Sequence, residues 1–271
     1  MTNTVTVANP LPFKPSLSML GWALNEEANL GEYLERAEAF LTQATNDFEL
    51  VLIDDGSTDG TWLLMNELAR TRPWLRLIQN ERNRGSGYCY RAAIRAATKD
   101  YFFVQTVDWA YDISLMASSF HLLQHYDILQ GVRADTLTWS GLWRRSDNPG
   151  KAVVSFVNYG LIRLLFQLPL RDYQNVTVCP TRRVQACILE ADSSFANPEV
   201  LIKMWWSGAS FLEVPVGFQK RQRGKATGTR VKSILRSIRE IGRHWLGWVV
   251  FNRYPQRGKG RVSRLESEKG A

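Results

Sequence analysis

The stretch richest in reactive groups is Asp54-Asp55-Gly56-Ser57-Thr58-Asp59-Gly60-Thr61. Two adjacent carboxylates repel each other, so they must be solvated or paired with ligand donors. A nucleobase ring N–H and ribose hydroxyls are donors of that kind. The same Ser, Thr and Asp residues are good helix caps, so a plain capping turn is the competing reading. Asn25-Glu26 and Asp108 follow apolar runs in the same manner. His121, His125 and His244 do not cluster and read as surface or packing residues. Cys89, Cys179 and Cys187 form no CxxC pair and have no regularly spaced histidines. Neither a disulfide scaffold nor a structural zinc site is expected, and reduced thiols are the plain reading.

The elements around these residues alternate strand and helix. Residues 16–24 and 48–53 are apolar and strand-like, as are 75–78 and 101–107. Between them, 26–41 repeats Leu30, Leu34, Ala37 and Leu41 at helical spacing. A second helix, capped by Thr58 or Asp59, carries Trp62, Leu63, Met65 and Leu68; an alanine-rich third spans 86–98. This order predicts an α/β fold with a mostly parallel sheet, helices on both faces and ligands at the carboxyl ends of the strands. Three of the four strand ends carry the polar clusters. Gly85-x-Gly87 follows the third strand and lacks a third glycine, which argues against a dinucleotide fingerprint. Further on, 128–132, 176–179 and 211–218 read as strands and 151–166 as a helix. Residues 234–248 form an amphipathic basic helix, and 257–271 are expected to be disordered.

Taken in order, these motifs closely resemble the inverting family 2 glycosyltransferases of GT-A fold, in particular their dolichyl- or polyprenyl-phosphate mannose or glucose synthase branch. The matching strings are LNEE (24–27), VLIDDGSTDGT (51–61), NRGSGYCYRAAIRAA (83–97) and QTVDWAYD (105–112). QGVR (130–133), SFVNYGLIR (155–163), LRDYQN (170–175), EVPVGF (213–218) and KRQRGKA (220–226) follow. The resemblance implies a Rossmann-like nucleotide-binding sheet with a nucleotide-sugar site at Trp22, Leu24, Glu26, Asp54, Asp55 and Arg84. It makes Asp108 the second aspartate of a DxD element that holds Mg²⁺ or Mn²⁺ on the donor diphosphate, a hard cation suited to oxygen ligands. The first aspartate is replaced by Thr106, and Asp112 is a candidate second carboxylate. Arg133, Ser155, Arg221 and Lys225 fall on positions for an acceptor or its phosphate, with Arg144 and Arg145 as further candidates or a plain exposed pair. Ala226-Thr227 depart from the family's Ser-Lys. Asp172 lies near the expected acceptor, where it could serve as base for a hydroxyl. Glu199 and Glu213 are weaker candidates, Glu213 reading equally as a brace on a strand edge.

The composition, 45% hydrophobic and 22% charged, excludes a disordered or collagen-like chain. Charge is uneven. From Val216 onward fifteen Lys/Arg face three Asp/Glu, a balance of +12 within a total of +8. A basic tail on a slightly acidic body points to an anionic partner surface, a membrane or a nucleic acid. A pure binding module would need no row of acidic strand ends, so nucleic acid is not expected. No run reaches the length of a membrane span and residues 1–15 carry no signal-peptide pattern. The expected place is therefore the cytoplasm, with peripheral contact at the membrane. The acceptor is expected to be a polyprenyl phosphate, or alternatively a saccharide hydroxyl. The expected organisation is a leader over 1–15, a catalytic domain over 16–229, a helical appendage over 230–256 and a disordered tail over 257–271.

Overall fold

The computed structural model describes residues 13–109, 111–133, 149–218, 231–254 and 257–265. At 111–112, 115, 133, 149–156, 217–218 and 231–235 the backbone alone is described. Elements are numbered in chain order over these residues.

β1 (Leu17–Ala23) is apolar along almost its whole length because both of its faces are covered. β2 (Phe48–Asp54) and β4 (Tyr101–Val104) flank it in parallel, and β3 (Leu75–Gln79) adds outside β2. Strand order thus reverses at β1, which opens a crevice at the carboxyl ends of β1 and β4. α1 (Glu27–Ala44) and α2 (Thr61–Ala69) cover one face. α3 (Ser86–Ala96) covers the other. Beyond β4 the sheet continues through β7 (Thr177–Pro180), β6 (Ile128–Arg133) and β8 (Ser210–Phe218). β7 is antiparallel to both of its neighbours, while β6 and β8 run parallel. β5 (Tyr111–Asp112) pairs with the end of β8.

The helices of the second half, α5 (Pro149–Phe166), α7 (Ala196–Trp206) and α8 (Val231–Trp245), pack on the α3 side. The short helices α4 (Ser114–Ser118) and α6 (Thr181–Gln185) complete the order.

Two expectations need correction, the end of β4 and the disorder of the whole tail. β4 ends at Val104 rather than 107: Gln105 makes a last ladder bond, N–H to Leu20 O at 3.0 Å, and the chain then turns. The helical region after 230 packs on the rest of the domain. Ile241 and Trp248 are buried, and the Trp248 ring lies 5.9 Å from Phe166 and 6.1 Å from Phe195. Trp245 packs against the same cluster, so this side of α8 faces the core. The tail, expected to be disordered, holds a strand: β9 (Arg261–Arg264) lies parallel to β8, with Arg261 N–H on Ala209 O at 3.1 Å and Leu265 N–H on Glu213 O at 3.0 Å. Edge pairing uses backbone groups, so a polar sequence hides it. A Cβ on Gly260 would stand 2.2 Å from Ala209 O, so only glycine fits there.

α3 approaches the 188–194 loop closely. A Cβ on Gly87 would stand 2.3 Å from the Asp192 carbonyl carbon, whereas one on Gly160, within α5, meets nothing. Gly87→Ala is expected to lower unfolding free energy by about 1–3 kcal/mol. Gly160→Ala should leave it unchanged or raise it by up to about 1 kcal/mol. Urea midpoints at constant slope check both.

Candidate active site

The turns after β1 and β2 are stitched together. Asn25, at φ 55°, donates its N–H to Ser57 Oγ at 3.0 Å, and its Oδ1 accepts the Thr58 N–H at 2.8 Å. Glu26 N–H reaches Thr61 Oγ1 at 2.9 Å, and Asp59, just before the Gly60 N-cap of α2, accepts the Thr61 N–H at 3.0 Å. Successive side chains of a strand point to opposite faces, so Asp54 and Asp55 find separate partners. Asp54, fully buried, accepts from Ser57 N–H at 3.2 Å and Gln79 Nε2 at 3.4 Å. Asp55, also buried, accepts from Asn80 Nδ2 at 2.8 Å, Arg84 N–H at 2.8 Å and Gly85 N–H at 2.9 Å. Both carboxylates brace loops. Trp22 and Glu26 are half-buried beside them, and Leu24 is exposed at the lip. Glu26 accepts from Asn29 Nδ2 at 2.6 Å, and the exposed Arg84 guanidinium stacks 4.2 Å over Tyr88.

After β4 the chain makes a tight turn, Trp109 N–H to Thr106 O at 2.9 Å, with Asp108 half-buried inside it. Trp109 holds this turn at φ 49°, an unfavourable backbone for a bulky residue. Its ring is fixed by Tyr33 at 5.9 Å and by the Arg36 guanidinium at 5.1 Å.

These ends open onto a cavity of about 200 Å³. Trp22 and Thr106 contribute from the β1 and β4 ends, Ser86 and Tyr90 from α3. The opposing lining comes from residues 174–177 and from Ser193, Ser194 and Asn197 at the start of α7. Asp172 is buried under the 174–177 loop, accepting Gln174 N–H at 3.0 Å and Asn175 Nδ2 at 3.5 Å. Glu213 holds that loop through Arg171, N–H at 2.7 Å and Nε at 2.6 Å, and reaches Arg264 Nε at 3.3 Å. Glu199 accepts Glu190 N–H at 2.9 Å, Ala191 N–H at 2.8 Å and Lys203 Nζ at 2.6 Å. Lys203, equally buried, also donates to Ile188 O and sits 4.5 Å from the Trp248 ring. Both glutamates are therefore braces of the cavity wall.

The structure thus gathers Trp22, Leu24, Glu26, Asp54, Asp55, Arg84 and Asp108 at the strand ends, with Asp172 beneath the facing loop. Arg133 and Asp112 pair through their backbones with Val216 and Gly217, so they reach the same end of β8. Their side chains and that of Ser155 lie outside the described residues, as do Arg144, Arg145, Arg221 and Lys225. The histidines do not cluster. Buried between Phe195 and Trp248 at 5.6 and 4.5 Å, the His244 imidazole is pushed below its usual range by burial. Ser193, Ser194 and Asn197 escape a reading by motif. Their only signal is the Asp-Ser-Ser-Phe-Ala-Asn-Pro run, which reads as a helix start.

Among the described residues no three His, Cys, Asp or Glu side chains converge to cage a metal. Asp108 nevertheless offers an oxygen donor, and Mg²⁺ or Mn²⁺ commonly binds through one or two carboxylates together with substrate phosphates and water. The residues present fit such an ion.

The sequence profile of glycosyl transferase family 2 matches residues 22–181. A dodecaprenyl-phosphate galacturonate synthase of Rhizobium johnstonii is 25% identical over 198 residues, covering 71% of this chain and 54% of that protein. Glycosyltransferase AglD of Haloferax volcanii is 26% identical over 231 residues, covering 83% and 35%. The chain spans little more than half the length of the curated relatives it matches, or less. Glucosyl-3-phosphoglycerate synthase of Mycobacterium tuberculosis, solved with Mn²⁺ and UDP-glucose, superposes with a TM-score of 0.58 at 13% identity, covering 86% of this chain and 79% of that one. That likeness is one of fold, and it agrees with the expected GT-A architecture.

The Lys203–Glu199 pair tests how the wall is held. Glu199→Ala leaves a buried ammonium and two loop N–H groups without their acceptor, and should cost about 3–5 kcal/mol in urea unfolding. In the double variant Glu199→Leu/Lys203→Met part of that loss should return, since no lone charge stays buried.

Proposed function

The chain belongs to glycosyl transferase family 2, and from that premise we propose that it moves a hexose from a UDP- or GDP-linked donor to a polyprenyl phosphate, with inversion at the anomeric carbon. The observation that supports this most directly is the meeting of the β1 and β4 ends and the start of α3 at one cavity, where strand order reverses. The Rhizobium relative is named for a dodecaprenyl-phosphate product, and the +12 balance after Val216 suits an acidic lipid phosphate.

In the proposed reaction the nucleotide lies across the β1 and β2 ends, beside Trp22, Leu24 and Glu26, with its diphosphate toward the Thr106–Trp109 turn. Mg²⁺ or Mn²⁺ bound at Asp108, with Asp112 as a candidate second ligand, supplies charge neutralisation for the departing diphosphate. Trp109 holds Asp108 in place, so its carboxylate need not reorganise as charge develops. The acceptor oxygen forms a bond to the anomeric carbon while the bond to the diphosphate oxygen on the opposite face breaks. A phosphate acceptor is already anionic and needs no base. Arg133, Ser155, Arg221 and Lys225 are assigned to that phosphate, for which paired guanidinium donors are suited. The second reading, a saccharide acceptor, is favoured by Asp172, a carboxylate held under the cavity loop that could take a hydroxyl proton.

A lipid acceptor calls for peripheral contact with an anionic membrane face. No helix among the described residues is long and apolar enough to cross a membrane. With the apolar side of α8 buried, the contact falls to its exposed Arg236, Arg239 and Arg243 and to Leu246, Val250 and Phe251 beyond it.

Asp108→Asn keeps the shape and removes the charge. Turnover of a nucleotide-sugar donor panel should fall by about 100-fold or more while bare nucleotide still binds; near-normal turnover would withdraw the metal role. For the membrane contact, Val250→Asp/Phe251→Asp should abolish sedimentation with phosphatidylserine vesicles at low salt. Each Lys or Arg at such a surface contributes about 1 kcal/mol, so raised salt should release the unmodified protein too.

A further inference from the structure

Three hydroxyls of the cavity have their protons turned into the protein. Ser193 Oγ donates to Glu240 Oε2 at 2.6 Å and already accepts the Phe195 N–H at 3.2 Å. Tyr90 donates to Asn197 Oδ1 at 3.0 Å. The Asn197 amide cannot be turned the other way, since its Nδ2 donates to the Tyr173 carbonyl at 2.9 Å. Thr177 Oγ1 donates to Gln130 Oε1 at 2.7 Å, and that amide is fixed likewise by Nε2 on Gly131 O at 3.1 Å. A hydroxyl has one proton and two lone pairs. With the proton committed inward, each oxygen can only accept from whatever occupies the cavity. No Lys, Arg or His among the described residues lines it.

Ser86, Thr106, Ser194 and the Gln174 and Asn175 amides complete the polar lining, but around these three oxygens the wall accepts, and no cation stands in its described part. Such a wall pairs with groups that donate, as sugar hydroxyls do. A carboxylate has only lone pairs, and would be desolvated against these oxygens with no cation to offset its charge. Resting on the family 2 reading of this site, we infer that the cavity takes the neutral, hydroxylated ring of the donor sugar and discriminates against the corresponding uronate. Ser193 is its specificity-determining contact. Glu240, reaching across from α8, is the positioning residue that sets the direction of the Ser193 hydroxyl. The C-terminal helix is thereby part of sugar selection.

The test is titration calorimetry on the full chain with Mn²⁺. UDP and GDP are titrated first, and the one that binds selects the donor pair: UDP-glucose with UDP-glucuronate, or GDP-mannose with GDP-mannuronate. The neutral donor should bind at least roughly ten-fold more tightly than its uronate. In Glu240→Gln the new amide N–H can donate to Ser193 Oγ, which turns the Ser193 proton toward the cavity. That variant should lose roughly three-fold or more of the discrimination. Ser193→Ala should weaken the neutral donor and leave the uronate alone. In each variant the bare-nucleotide affinity reports whether the site is still folded. Equal affinity for the two donors, or a preference for the uronate, overturns the inference while leaving the family reading intact. Wild-type discrimination in both folded variants overturns the roles of Ser193 and Glu240. Binding of neither nucleotide takes down the inference together with the proposed UDP- or GDP-linked donor.

Discussion

The Asp55 carboxylate collects three donors from two segments, the Asn80 side chain and the backbone N–H groups of Arg84 and Gly85. Those N–H groups sit just before α3, where a helix leaves its first donors without internal partners. They are only part-buried, so removing the carboxylate would cost less than the roughly 1–3 kcal/mol of a fully buried unmet donor apiece. With them met, α3 has a fixed starting point at the end of β2, and much of the site depends on it. Gly87 rests against the Asp192 backbone, and Tyr90 meets Asn197 at 3.0 Å and the Trp22 ring edge at 6.3 Å. One side chain at the end of a strand therefore sets the wall of a cavity formed largely by residues more than a hundred positions later.

The second half repeats the device. Glu213 gathers the 170–172 segment, and Glu199 gathers 190–191. Glu49 does the same at the far end of β2, accepting Thr98 N–H at 2.6 Å and Ser18 Oγ at 2.6 Å. Burial opposes the charge on Glu49, yet the bonds from Arg76, Ser18 and Thr98 together hold its carboxyl below the usual range. Each of these three glutamates has a cation close by: Arg76 beside Glu49, Arg171 beside Glu213 and Lys203 beside Glu199. Loops that must stay open to a ligand cannot be held by apolar packing alone. Charged acceptors serve instead, because a single carboxylate satisfies several backbone donors at once.

This arrangement explains what was legible in the sequence. From β1 to β4 the apolar period and the polar punctuation agree, so strands, helices and the acidic strand ends can be read from local pattern. The family's matched region, residues 22–181, takes in most of this stretch and stops short of α7, β8 and α8. The adjacent Asp54 and Asp55 carry chemistry by residue type, but their inward partners are backbone N–H groups and the side-chain amides of Gln79 and Asn80, which no spacing rule exposes. Nor does spacing tell whether an amphipathic helix turns its apolar side to lipid or to its own domain. Ile241 and Trp248 are answered by Phe166, Phe195 and Trp206, scattered over three other segments. β9 pairs through its backbone, and the Ser193–Asn197 wall consists of ordinary cap residues. In these places the deciding interactions are long-range and side-chain type carries little of the information.

Thr106 illustrates how a local departure agrees with its surroundings. By the resemblance it replaces the first aspartate of a DxD element, and it lines a cavity whose Ser193, Tyr90 and Thr177 oxygens already present lone pairs. A carboxylate at that position would add negative charge to a wall that has no cation among the described residues, raising the cost of its own desolvation. Threonine keeps the wall uncharged. The formal charge is carried two residues on, by Asp108, on a turn that the Trp109 ring holds against Tyr33 and Arg36. In the proposed reaction that separation puts the formal charge beside the diphosphate and leaves the wall assigned to the sugar uncharged.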